Sequence, residues 1–161
     1  MLRVAACLAV GFATVAPSAA HSQGRPGLTF PPYPGGVEWQ SGTAIPASNG
    51  GGDYGIDWVT ASSKDQLWFS RLLRRSRKGE AVWAIVDTLT VPSYDSTASL
   101  VISQCSLHGR FDPEVLAVAV DSNADSLRTV LAAWRADRRT NHFVAIPTKG
   151  IVCANEAYGD E

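Results

Sequence analysis

The chain has 161 residues, 45% hydrophobic and 18% charged, and carries a formal net charge of −1. That is the profile of one ordinary globular domain. The near-neutral balance excludes wholesale nucleic-acid binding, which needs a clear excess of Lys and Arg.

Residues 1–20 predict a secretory signal peptide. Met1-Leu2-Arg3 is a short basic start, residues 4–15 are an apolar run, and Ala16-Pro17-Ser18-Ala19-Ala20 supplies small residues for cleavage. The run is too short to span a bilayer as a helix, and Cys7 precedes most of it, which excludes a lipoprotein anchor. No later stretch reaches membrane-spanning length, so the mature chain is expected in the periplasm or secreted, without a transmembrane segment. Cleavage removes Arg3, leaving the remainder one charge more negative. It also removes Cys7, leaving Cys105 and Cys153. In an oxidising compartment these two are expected to form an intramolecular disulfide.

Residues 21–55 hold Pro26, Pro31, Pro32, Pro34 and Pro46 and the run Asn49-Gly50-Gly51-Gly52. This composition predicts a disordered or extended leader, with Leu28, Phe30, Tyr33 and Trp39 lying loosely on the domain or mobile. The globular domain is expected over 56–161. Ile56-Asp57-Trp58-Val59-Thr60 is β-prone. Residues 66–75 fit either a capped helix or a strand; the following run, 80–91, is rich in β-branched residues and follows a Gly-bearing break, which favours a long hairpin. Residues 99–107 and 115–120 read as further strands.

Residues 122–139 carry two readings. Leu127, Val130, Leu131 and Trp134 follow Ser122-Asn123-Ala124-Asp125 at helical spacing. A helix continued to Arg139 would deprive the run 142–147 of its nearest partner. The preferred reading is a short helix or turn at 124–130 and then a strand over 131–137, closing a hairpin through Arg138-Arg139-Thr140-Asn141. A full helix over 124–138 is the alternative. The whole pattern predicts an α+β fold, mainly an antiparallel sheet of five to six strands with hairpins and at most one or two short helices.

At the C-terminal end, Trp134-Arg135-x-Asp137, Phe143, Gly150-Ile151-x-Cys153-x-Asn155-Glu156 and Gly159 resemble the ends of small exported proteins of Gram-negative bacteria. The resemblance covers less than the last fifth of the chain. It implies export and brings no activity.

The sequence lacks Cys-x-x-Cys, His-Glu-x-x-His, an Asp-rich calcium loop, a phosphate-cradling Gly loop and the Gly-x-Ser-x-Gly elbow, so no metal or cofactor is expected. Three histidines occur. His21 stands at the mature N-terminus, and His142 is expected to pair with Asp137 across the C-terminal hairpin. His108 is the catalytic candidate, with Asp112 or Glu114 to orient it. Asp87 interrupts an apolar strand on the expected face of Trp83, Ile85 and Leu89, and needs a partner there. Arg135 is the expected one. Arg71, Arg74, Arg75, Arg77 and Lys78 crowd a predicted hairpin tip, a positive patch suited to phosphates or carboxylates. The sequence therefore predicts a non-catalytic interaction or inhibitor-like module of the cell envelope, docking on an envelope protein or anionic surface. The alternative is a small hydrolase using His108 with Asp112 or Glu114.

Overall fold

The computed structural model describes residues 26–45 and 53–158. The expected signal peptide, His21, the Gly50-Gly51-Gly52 run and Gly159 lie outside them. Thirteen strands are described: β1 (Thr29–Phe30), β2 (Val37–Ile45), β3 (Tyr54–Ala61), β4 (Lys64–Arg75), β5 (Ala81–Thr90), β6 (Ala98–Ile102), β7 (Cys105–Leu107), β8 (Arg110–Phe111), β9 (Val115–Val120), β10 (Ser126–Leu127), β11 (Val130–Asp137), β12 (His142–Ala145) and β13 (Ile151–Ala154). They form three antiparallel sheets, ordered β1-β5-β4-β3-β2, β12-β11-β9-β6 and β10-β13-β7-β8. The expected α+β class is corrected to all-β, because the described residues contain no helix. The expectation of mainly antiparallel sheet stands, but the expected five to six strands are corrected to thirteen in three sheets among the described residues. No helix among the described residues is long and apolar enough to cross a membrane.

The central sheet explains the layering. In β9 five successive residues, from Val115 to Ala119, are buried. Leu116 and Val118 pack with Phe69, Leu67 and Phe143 on the side of the five-stranded sheet. Val115, Ala117 and Ala119 pack with Cys105, Cys153 and Ile151 on the other side. A strand buried on both faces reads as an unbroken apolar run rather than an alternation. The two β9 alanines, joined by Ala133, make the second interface thin enough for the small sheet and its disulfide. Cys105 and Cys153 are direct cross-strand partners of β7 and β13, with Cα atoms 3.9 Å apart.

The helical spacing at 124–138 is a coincidence of a bulged strand. Ser126 and Leu127 pair with β13 instead. The β11–β9 register shifts between Val130 and Ala132, so Leu131 is the extra residue and is 56% exposed. Leu127 and Val130 then serve one side of the central sheet and Trp134 the other, which no single helical stripe could do. The hairpin closed by residues 138–141 pairs as expected, but the expected His142–Asp137 side-chain pair is corrected: the two stand opposite in the ladder, while His142 turns to Asp87 and Asp137 accepts from the Arg139 N–H. The long hairpin of β4 and β5 also pairs.

The leader expected at 21–55 is corrected wherever its residues are described. β2 pairs along β3, and β1 pairs with β5 to form the opposite edge of the same sheet. The proline-bearing loop between them crosses the outer face of the sheet, where Phe30, Leu28, Tyr33 and Val37 cover Val59, Trp68 and Ile85. Pro31, Pro32 and Pro34 have no N–H to donate to a ladder, and the aromatics beside them supply the buried area. The domain therefore begins before Ile56. The β3–β4 turn is made by Ser62 and Ser63, both at positive φ (51° and 58°), the two-residue hairpin geometry that matches strand twist.

Candidate functional site

Two hairpins border Tyr54. The first joins β4 to β5 through residues 76–79. Its Ser76 N–H donates to the Glu80 carbonyl, and Arg75 donates through Nη1 to the Gly79 carbonyl at 3.3 Å. The second is the 138–141 loop between β11 and β12. Tyr54 joins them: it stands opposite Arg71 in the β3–β4 ladder, and its hydroxyl donates to Asn141 Oδ1 at 2.8 Å.

Arg71, Arg74, Arg75, Arg77 and Lys78 are all exposed, as sequence predicted for a tip. Among the described residues none of the five stands within salt-bridge reach of a carboxylate. The β4–β5 register shift between Leu72 and Arg74 places Leu73 as an extra residue, 46% exposed, among the arginines. From the second tip comes Arg139, whose side chain is 89% exposed and 3.8 Å from Asp137. Sequence reasoning missed the Tyr54 link, because nothing local ties residue 54 to residue 141.

The expected pairing of Asp87 with Arg135 is corrected. A register shift between Phe69 and Ser70 makes Val86 the extra residue of β5. Trp83 and Ile85 therefore point to the outer face, whereas Asp87 joins Leu89 and Phe69 on the inner one. There its carboxylate accepts from the Phe143 N–H at 2.7 Å and from the Thr88 N–H at 2.9 Å. His142 Nδ1 lies 3.4 Å away. Asp87 thus satisfies an outward backbone donor of edge strand β12 and ties two sheets together.

Arg135 belongs to a different cluster. Its Nη2 donates to Asp112 Oδ2 at 2.6 Å and its Nη1 to Glu114 Oε2 at 3.0 Å. Arg138 Nε also donates to Glu114. Both carboxylates expected to serve His108 are thereby engaged by guanidinium groups. His108 forms a two-residue turn with Gly109, at φ 52° and 78°, and its N–H donates to the Gly150 carbonyl at 2.8 Å. Its imidazole lies against Gly150, where any Cβ would collide with the ring. The structure brings Asp112 and Glu114 together, and it turns them toward arginines rather than toward His108.

Comparison with family models, with curated proteins and with solved structures finds no match to this chain.

A second polar cluster escaped the sequence reading. Asp57 Oδ1 accepts from the Tyr33 hydroxyl at 2.9 Å and from Trp39 Nε1 at 3.1 Å. Gly42 lies opposite in the ladder, and a Cβ there would stand 2.7 Å from that oxygen. An acid inside the apolar run 56–59 was the available signal, the same one that singled out Asp87. Burial pushes the Asp57 carboxyl above its ordinary range, against the partial relief of its two donors. The folded chain therefore holds this proton more tightly than the unfolded chain. Stability is lost as pH rises through the folded value. Asp57→Asn keeps both accepted hydrogen bonds without the charge. It is expected to raise the melting temperature at neutral pH, the gain vanishing as pH falls below about 3, where the carboxyl is protonated in both states. Melting curves of both proteins across pH check this; a loss at neutral pH contradicts it.

Proposed function

We propose that this protein is a non-catalytic docking module of the cell envelope, exported by its N-terminal segment, which holds a phosphate-bearing anionic surface with its cationic end. One observation carries the reading: five exposed cations crowd the β4–β5 hairpin end, and among the described residues none stands within salt-bridge reach of a carboxylate. Exposed charge at a hairpin tip also serves solubility. Solubility alone does not require arginine over lysine. The planar guanidinium fork contacts phosphate through two parallel hydrogen bonds, which an ammonium cannot do. Leu73, exposed among the arginines, adds an apolar contact for the headgroup boundary.

The test is co-sedimentation of the mature chain with vesicles of phosphatidylcholine alone or with phosphatidylglycerol. Binding is expected only to the anionic vesicles. It should weaken steeply between about 10 and 150 mM salt, as the screening length shortens to about 8 Å. Arg74→Ser/Arg75→Ser/Arg77→Ser should lose tenfold or more, on the order of 1 kcal/mol for each cation near the surface. Equal retention of variant and wild type overturns the proposal.

A further inference from the structure

A groove lies along the open side of the two larger sheets, where β2 and β6 are edge strands. It encloses about 1490 Å³, with Ser41 and Thr43 on one wall and Ser99 and Gln104 on the other. Asn155 and Tyr158 close it from the C-terminal end. Two flat rings lining it, Phe111 and Tyr158, are 60% and 57% exposed. No Lys, Arg or His lines it, and of its two carboxylates Glu156 already accepts from Gln104.

Two buried polar atoms among the described residues lack a hydrogen-bond partner within the protein, Trp58 Nε1 and Ser103 Oγ, and both residues line this groove. Ser103 is 9% exposed and holds a positive φ of 57° at the break between β6 and β7. An unmatched buried donor is costly and calls for an explanation.

We propose that the groove binds a neutral saccharide chain. Hydroxyl and carboxamide side chains both donate and accept, which matches a ligand whose own hydroxyls do the same. The exposed rings offer apolar faces for the C–H faces of pyranose units. An anionic ligand would meet Asp121 and no cation. An apolar ligand would desolvate the many Ser, Thr and Asn groups without replacing their hydrogen bonds. A peptide added to the edge of β6 would use main-chain groups and give no role to Phe111, Tyr158 or Asn155. This site is separate from the cationic end, so either proposal can fail without the other.

The experiment titrates the intact mature chain with chitohexaose, cellohexaose and maltohexaose by calorimetry and by tryptophan fluorescence. At least one is expected to saturate, with a Kd of about 1 mM or tighter, and Phe111→Ala/Tyr158→Ala should weaken it about tenfold or more. Both rings are exposed, so the variant should keep the wild-type circular dichroism and melting temperature. Absence of saturation by all three sugars overturns the proposal. So does unchanged affinity in the folded double variant, or protection of the β6 amides by an extended hexapeptide and by none of the sugars.

Discussion

Reduction of the Cys105–Cys153 disulfide is expected to lower the folding free energy by about 4 kcal/mol. The bond closes a loop of 48 residues, and loss of loop entropy from the unfolded chain gives that magnitude. The architecture concentrates the effect in one layer. The small sheet has strands of only two to four residues, and it meets the central sheet largely through alanines. Little apolar area is left to hold β13 on β7 once the covalent tie is gone. A domain of this size should lose on the order of 10–20 °C in melting temperature on reduction or in Cys105→Ser/Cys153→Ser. The outer sandwich around Phe69, Leu116 and Trp134 should melt later than the small sheet. Indistinguishable melting of oxidised and reduced protein would contradict the staple's role.

Arg135→Ala is expected to cost about 2–3 kcal/mol, the second largest single effect. Fully buried ion pairs lose about 3–5 kcal/mol when one partner is removed, and partial exposure reduces that figure. Side-chain exposure is 28% for Arg135, 23% for Asp112 and 14% for Glu114. The deletion leaves Asp112 without its guanidinium and Glu114 with Arg138 alone. The arginine is itself held charged: its two carboxylates raise its proton affinity even against partial burial. Arg139→Ala, at a side chain 89% exposed, should change stability by less than about 0.5 kcal/mol. Urea midpoints of the two variants compare them directly. Equal costs would mean that the Asp112–Arg135–Glu114 cluster contributes nothing beyond an ordinary surface charge.

Local chemistry carried part of this structure openly. The Arg138–Asn141 break, the Gly79 turn and the paired cysteines each act within a few residues or through one covalent bond. The hairpins and the disulfide followed from them, and so did the arginine tip. What stayed hidden depends on register. A single extra residue flips every side chain beyond it to the other face. Val86 does this to Asp87, which removes it from Arg135 and gives it to the backbone of Phe143. Leu131 does it to Trp134, which made a bulged strand imitate a helix. The segment around Phe30 was hidden for another reason: its prolines mark a loop, but the loop's value lies in covering Trp68 and Ile85 from a distance no local window sees. The candidate site divides the same way. Its five cations adjoin in sequence, whereas the tie from their hairpin to the 138–141 loop runs through Tyr54.

The proposed docking surface is the basic end of the β4–β5 hairpin, with Arg139 of the loop that Tyr54 links to it. Hydrogen exchange of the intact mature chain, with and without phosphatidylglycerol-containing vesicles at low salt, tests it most directly. Added protection is expected at residues 71–79 and 137–142 and to disappear at about 0.5 M salt, where the screening length falls to about 4 Å. Protection elsewhere on the molecule with both tips unchanged would contradict the account.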